Sequence, residues 1–117
     1  MSLSRQIVDV LTRNRLPLAD EKALQAAMAA AFDRAGLPYA REVRLSDDDI
    51  VDFMVAERAA VEVKIKGARR SIYRQCERYC AHDRVSELVL ATNVPMSLPA
   101  TIGGKPASVA LLGLGWL

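Results

Sequence analysis

Two short runs, residues 49–55 and 60–67, constrain this chain more than any other feature. In the second, Val61, Val63 and Ile65 alternate with Glu62, Lys64 and Lys66. A strand directs successive side chains to opposite faces, so the β-branched residues share one face and the charged residues the other. The first run is apolar apart from Asp52, which is set between Ile50-Val51 and Phe53-Met54-Val55. A carboxylate inside such a run needs a cation, a hydrogen-bond network or water to offset its burial. The spacing predicts two adjacent antiparallel strands with a tight turn at Glu57-Arg58. Their charged face either presents Asp52, Glu62 and Lys64 to a ligand or simply meets water. Two carboxylates on neighbouring strands suit Mg²⁺ or Mn²⁺, which take oxygen ligands.

The rest of the chain can be read around this pair. Residues 3–12 are predicted to form a short helix, with Ile7, Val8 and Leu11 at helical spacing. A second, alanine-rich helix is predicted over 21–35, capped by Asp20 and stopped at Gly36, with Leu24, Met28 and Phe32 in its apolar stripe. Residues 39–45 alternate as a strand and lead through Ser46-Asp47-Asp48 into the Asp52 run, giving a three-strand meander. A helix over 69–81 follows. Ile72, Cys76, Tyr79 and Cys80 form its apolar face, and Arg70, Arg74 and Arg78 a stripe about 80° wide. That stripe is either a solvated face or a set of phosphate contacts. Residues 86–92 are predicted as a buried strand, parallel to the strand before the helix through a right-handed crossover. Residues 93–106 read as loop and 107–112 as a last strand.

With 117 residues, 51% of them hydrophobic and 26% charged, the chain is expected to form one globular α/β domain over 1–117. A formal net charge of +2 does not by itself argue for nucleic acid. Cys76 and Cys80 are the only cysteines and His82 the only histidine, so a structural zinc site is not expected; the two thiols read as small buried residues. No run is long enough for a signal peptide or a membrane span, which points to an intracellular protein with reduced thiols.

Asp52, nine residues, then Glu62-Val63-Lys64 resembles the core motif of the PD-(D/E)XK nuclease superfamily. The α-β-β-β-α-β order is similar to that superfamily's restriction-endonuclease-like core, a mixed central sheet with flanking helices. Gln75-x-x-x-Tyr79 resembles an added motif of its exonuclease and helicase-linked members, and Glu21 matches an acidic residue that many members carry. Val51 stands where the motif has proline. In size the chain resembles small stand-alone members, the virus-type replication-repair nucleases and Holliday-junction resolvases of phage or prophage type.

The resemblance implies a Mg²⁺- or Mn²⁺-dependent deoxyribonuclease, located in the cytoplasm and acting on branched DNA, flaps or ends. It implies Asp52 and Glu62 as direct metal ligands, the Val63 carbonyl as a further one, and Glu21 reaching the metal through water or at a second ion. Lys64 and Gln75 would orient the attacking water, with Gln75 holding Lys64 or the water itself. Lys66, Arg70, Arg74 and Arg78 would hold DNA phosphates. The expected partners are DNA and a second copy of the chain or a larger replication or repair protein, meeting it through residues 93–106 or the apolar tail 111–117. The other readings are a non-catalytic nucleic-acid-binding domain of the same fold and an interaction domain whose charged strand faces water.

Overall fold

A computed structural model describes residues 2–113. Its elements run α1 (Leu3–Arg13), α2 (Glu21–Ala35), β1 (Tyr39–Arg44), β2 (Ile50–Val55), β3 (Ala59–Lys64), α3 (Arg69–Cys80), β4 (Glu87–Thr92), β5 (Thr101–Ile102) and β6 (Lys105–Leu111). The strands form one mixed sheet of six, in the order β1-β2-β3-β4-β6-β5. The β1–β2 and β2–β3 pairs are antiparallel, β3–β4 and β4–β6 are parallel, and β5 returns antiparallel on β6. The predicted parallel pairing of the strands before and after α3 is therefore present.

Local chemistry accounts for most boundaries. Asp20 caps α2 by accepting from the Lys22 N–H at 3.0 Å, and Gly36 closes it in the left-handed region at φ 71°. The β2–β3 turn is tight, with the Arg58 N–H donating to the Val55 carbonyl at 3.1 Å. Its central residues, Ala56 and Glu57, both have positive φ without being glycine. That primed arrangement matches the strand twist and normally selects Asn-Gly, so the flanking ladders hold it here.

The sheet is covered on both faces. On one, α1 and α2 bring Ile7, Leu11, Leu24, Met28 and Phe32 onto Phe53, Val55, Val61, Val63 and Val89. On the other, α3 brings Ile72, Cys76, Tyr79 and Cys80 onto Val51, Met54, Ala60, Leu88 and Leu90. Both cysteines are free and buried, as expected from their spacing, and burial pushes the Cys76 thiol up to about 12. No helix among the described residues is long and apolar enough to cross a membrane.

Three expectations need correction. β3 ends at Lys64 rather than Gly67, so Lys66 lies beyond the strand and does not continue its charged row. The predicted loop at 93–106 contains a small hairpin: Thr101 pairs with Pro106 and Ile102 with Lys105 across Gly103-Gly104, and β6 starts at Lys105. Alternation along β1 and β2 is also not continuous. Tyr39 packs toward α2 but Val43 toward α3, and Phe53 toward α2 but Val51 toward α3. Both changes occur at the rung of Glu42 and Asp52, where the β1–β2 ladder lacks a pair and Glu42 has φ 51°. The hairpin rolls over at the level of Asp52. The part of the predicted tail beyond Gly113 lies outside the described residues.

Candidate active site

The site begins where β2 and β3 part. Their ladder has three rungs, the last joining Phe53 to Val61. β3 stays paired with β4 as far as Lys64 and Thr92, so its second half is laddered only on the β4 side. In the gap left toward β2, each strand's carboxylate takes a backbone N–H of the other. Asp52 Oδ2 accepts from the Val63 N–H at 2.8 Å, and Glu62 Oε1 accepts from the Asp52 N–H at 3.2 Å. A strand residue directs its N–H and C=O to the same neighbour, so the Val63 carbonyl is directed into the same gap.

Glu62 is buried, with 3% of its surface exposed, although its position on an alternating strand allowed it to face water. It lies on the α3 side of the sheet, and α3 supplies its cover. Glu62 Oε2 is 3.3 Å from Tyr79 Oη and 3.7 Å from Lys64 Nζ. The Tyr79 hydroxyl also donates to the Ile50 carbonyl at 3.0 Å and accepts from Gln75 Nε2 at 2.7 Å. One phenolic proton thus serves two acceptors. Burial first, then the neighbouring Asp52 carboxylate, pushes Glu62 up to about 8, with Lys64 and the Asp52 N–H pulling the other way. The same surroundings push the Tyr79 hydroxyl well above its ordinary value.

Lys64 is partly exposed and its backbone is pinned. The buried Thr92 donates its hydroxyl to the Lys64 carbonyl at 2.5 Å and accepts from the Val94 N–H at 3.0 Å. Asn93, next along the chain at this end of the sheet, has a buried Oδ1 without a partner among the described residues.

The predicted residues are only partly brought together. Asp52, Glu62, Val63 and Lys64 converge. Gln75 reaches the group through Tyr79, donating from Nε2 to its hydroxyl. Glu21 opens α2 on the opposite face of the sheet. There it lines a depression with Lys22, Gln25, Ala26, Arg41 and Glu42, and it makes no hydrogen bond or ion pair with Asp52, Glu62 or Lys64. Accordingly, no group of three or more His, Cys, Asp or Glu side chains converges among the described residues.

Lys66, Arg70 and Arg74 are exposed and make no ion pair among the described residues. Arg78 is about half exposed but is held by Asp49, with Nε 3.1 Å from Oδ1. Thr92 is the contributor that sequence reading passed over, and Tyr79 was expected only to pack. The Gln75-x-x-x-Tyr79 spacing signalled Tyr79, whereas nothing local distinguishes Thr92 from a core threonine.

A scan against family models, a search of curated proteins and a search of solved structures find no match to this chain.

Proposed function

We propose that this chain is a divalent-metal-dependent deoxyribonuclease built on a restriction-endonuclease-like α-β-β-β-α-β core, cutting phosphodiester bonds in branched DNA, flaps or ends. One observation carries the reading. Asp52 and Glu62 meet where the β2–β3 ladder stops, with Lys64 Nζ 3.7 Å from Glu62, on the side of the sheet covered by α3, a helix that carries exposed arginines.

The donor set fits a hard cation. Burial and the Asp52 carboxylate leave Glu62 holding a proton in the absence of metal, and a divalent ion can take that proton's place between the two groups. Mg²⁺ and Mn²⁺ take oxygen donors, and Mg²⁺ is commonly held by one or two carboxylates with water and phosphate oxygens completing its octahedron. Asp52, Glu62 and the Val63 carbonyl would hold the ion, and Glu21, which opens α2 on the other face of the sheet, would take part only through water or at a second ion. When bound, such an ion supplies an acidified water and neutralises charge on the scissile phosphate.

The side chains supply the rest. Lys64 orients the attacking water and offsets the charge that develops on the phosphate oxygens. Tyr79, backed by Gln75, holds Glu62 in place. The water oxygen bonds to phosphorus and releases a proton to solvent, the bond to the leaving sugar oxygen breaks, and that oxygen takes up a proton from solvent. Lys66, Arg70 and Arg74 hold flanking phosphates. Arg78 contributes only with the guanidinium nitrogens that Asp49 does not engage. Cutting both strands of a junction needs two such sites, so the proposal includes a homodimer or a larger repair partner.

The non-catalytic binding domain remains the second reading, favoured by one observation: each carboxylate is already used to tie the two strands together. The test is an Mn²⁺ or Mg²⁺ cleavage assay on plasmid, linear, single-stranded and four-way-junction DNA, with wild type and Lys64→Ala side by side. Wild-type cutting and an inactive Lys64→Ala variant that still binds DNA are expected. Equal cutting by both removes the assigned mechanism, and binding without cutting by either favours the second reading.

A further inference from the structure

A second group of charges stands just outside the carboxylate pair. Asp49, immediately before β2, is 6% exposed. Its Oδ1 accepts from Arg78 Nε at 3.1 Å and its Oδ2 meets His82 Nε2 at 2.9 Å. Arg78 lies in the last turn of α3 and His82 two residues beyond its end. The turn that carries Asp49 is itself braced. Ser46 Oγ accepts from the Asp49 N–H at 3.2 Å, and the Asp49 carbonyl accepts from the Leu45 N–H at 2.8 Å. Hydrogen bonds from His82 first, and then from Arg78, hold the Asp49 carboxyl below its ordinary value against the opposing effect of burial.

This clasp borders the site directly. Ile50, the next residue, gives its carbonyl to Tyr79 Oη, and the same oxygen is the one 3.3 Å from Glu62. Arg78 and Tyr79 are adjacent in sequence. The end of α3 is thus tied to the start of β2 twice, once by charge and once by the hydroxyl that also serves Glu62. At the opposite end of α3 the N-cap, Ala68, makes no side-chain capping bond, and Arg69 Nη1 donates to the Pro95 carbonyl at 3.5 Å. The single Tyr79 proton stands between two acceptors, the Ile50 carbonyl at 3.0 Å and Glu62 Oε2 at 3.3 Å, so the seating of this turn bears on both.

We propose that Asp49 is a positioning residue: clasped by Arg78 and His82, it seats Tyr79 on Glu62 and thereby sets the affinity of the carboxylate pair for a divalent cation. The clasp rests on its own geometry, and only its consequence for the cation rests on the nuclease reading.

A mutant cycle with two readouts tests it. Mn²⁺ affinity is measured by calorimetry for wild type, Asp49→Asn, Tyr79→Phe and the double variant, whose folding is checked by circular dichroism. The Asn replacement is isosteric but turns one acceptor into a donor facing Arg78 or His82. It is expected to weaken Mn²⁺ binding on the order of tenfold, as loss of a ligand's supporting partner does. The double variant is expected to be no weaker than Tyr79→Phe alone, because Asp49 acts through that hydroxyl. Multiplying effects, or Asp49→Asn affinity equal to wild type, overturn the proposal.

The second readout needs no metal. The ¹³Cζ shift of Tyr79 reports its hydroxyl's hydrogen bonds and is expected to move in Asp49→Asn; an unmoved signal overturns the clasp. Should Asp49→Asn fail to fold, Arg78→Ala removes one arm from the half-exposed side. It is expected to move the same signal in the same direction by less, and an unmoved signal there is equally fatal. Wild type that binds no Mn²⁺, with a Tyr79 signal that still responds, disposes of the cation reading and leaves the clasp standing.

Discussion

Glu62 carries the sharpest conflict at the scale of single residues. Burial and Asp52 favour its neutral form, while Lys64 and the Asp52 N–H favour the carboxylate, and the first pair wins, holding it near 8. An unfolded glutamate titrates near 4.3, so between that value and about 8 the folded chain keeps a proton that the unfolded chain has released. Stability without added metal should therefore fall as pH rises across that window and level off above it. Glu62→Gln resembles the protonated form, and its amide can still accept from the Asp52 N–H. Scanning calorimetry in chelator is expected to find this variant more stable than wild type at pH 8, by on the order of 2 kcal/mol, with the gain shrinking toward pH 5. Equal melting temperatures at both pH values would mean that Glu62 is not held neutral. Its place beside Lys64 was legible from alternation alone. Its burial was not, because β3 does not encode that α3 will lay Tyr79 across it.

At the scale of elements, α3 does more than the sequence reading assigned to it. Its apolar face, Ile72, Cys76, Tyr79 and Cys80, follows directly from helical period and is the buried face in the structure. Its arginine stripe divides: Arg70 and Arg74 stay in solvent, while Arg78 is captured by Asp49, which lies 29 residues away in sequence. The start of the helix is weak, since Ala68 stands in extended conformation at the N-cap and offers no acceptor. Ala68→Ser is expected to stabilise the protein by about 0.5–1 kcal/mol in urea titration, without changing DNA affinity. No gain would mean that the exposed first turn is already satisfied by other means. The β5–β6 hairpin is the element that was missed. Gly103 and Gly104, both at positive φ, are a hairpin signal, but a strand of two residues leaves no alternation to read.

At the scale of the whole molecule, two helices on one face and one on the other leave a single place where the β2–β3 ladder stops early, and the charged residues gather there. Lys66, two residues past Lys64, and Arg70 and Arg74 on α3 are exposed cations. If they hold backbone phosphates, the double variant Arg70→Ala/Arg74→Ala should lose affinity about equally for all DNA sequences. The slope of log K against log salt should then become shallower by about 2. A loss confined to one sequence, or an unchanged slope, would remove these arginines from the interface. The opposite placement of Glu21 belongs to this scale as well. The start of α2 follows from its Asp20 cap, but the sheet face on which that helix lies depends on how the whole chain packs.

The sequence by itself determined the order of the elements and which residues share a helix or strand face, because caps, turns and periods of 2 and 3.6 act over a few neighbouring residues. Tertiary structure alone decided the rest: the rollover at Glu42 and Asp52, the exchange of carboxylates between β2 and β3, the burial of Glu62 under Tyr79 and the loss of Arg78 to Asp49. Each depends on where one element crosses another, and that is settled by the packing of two cores against a shared sheet rather than by any local run of residues.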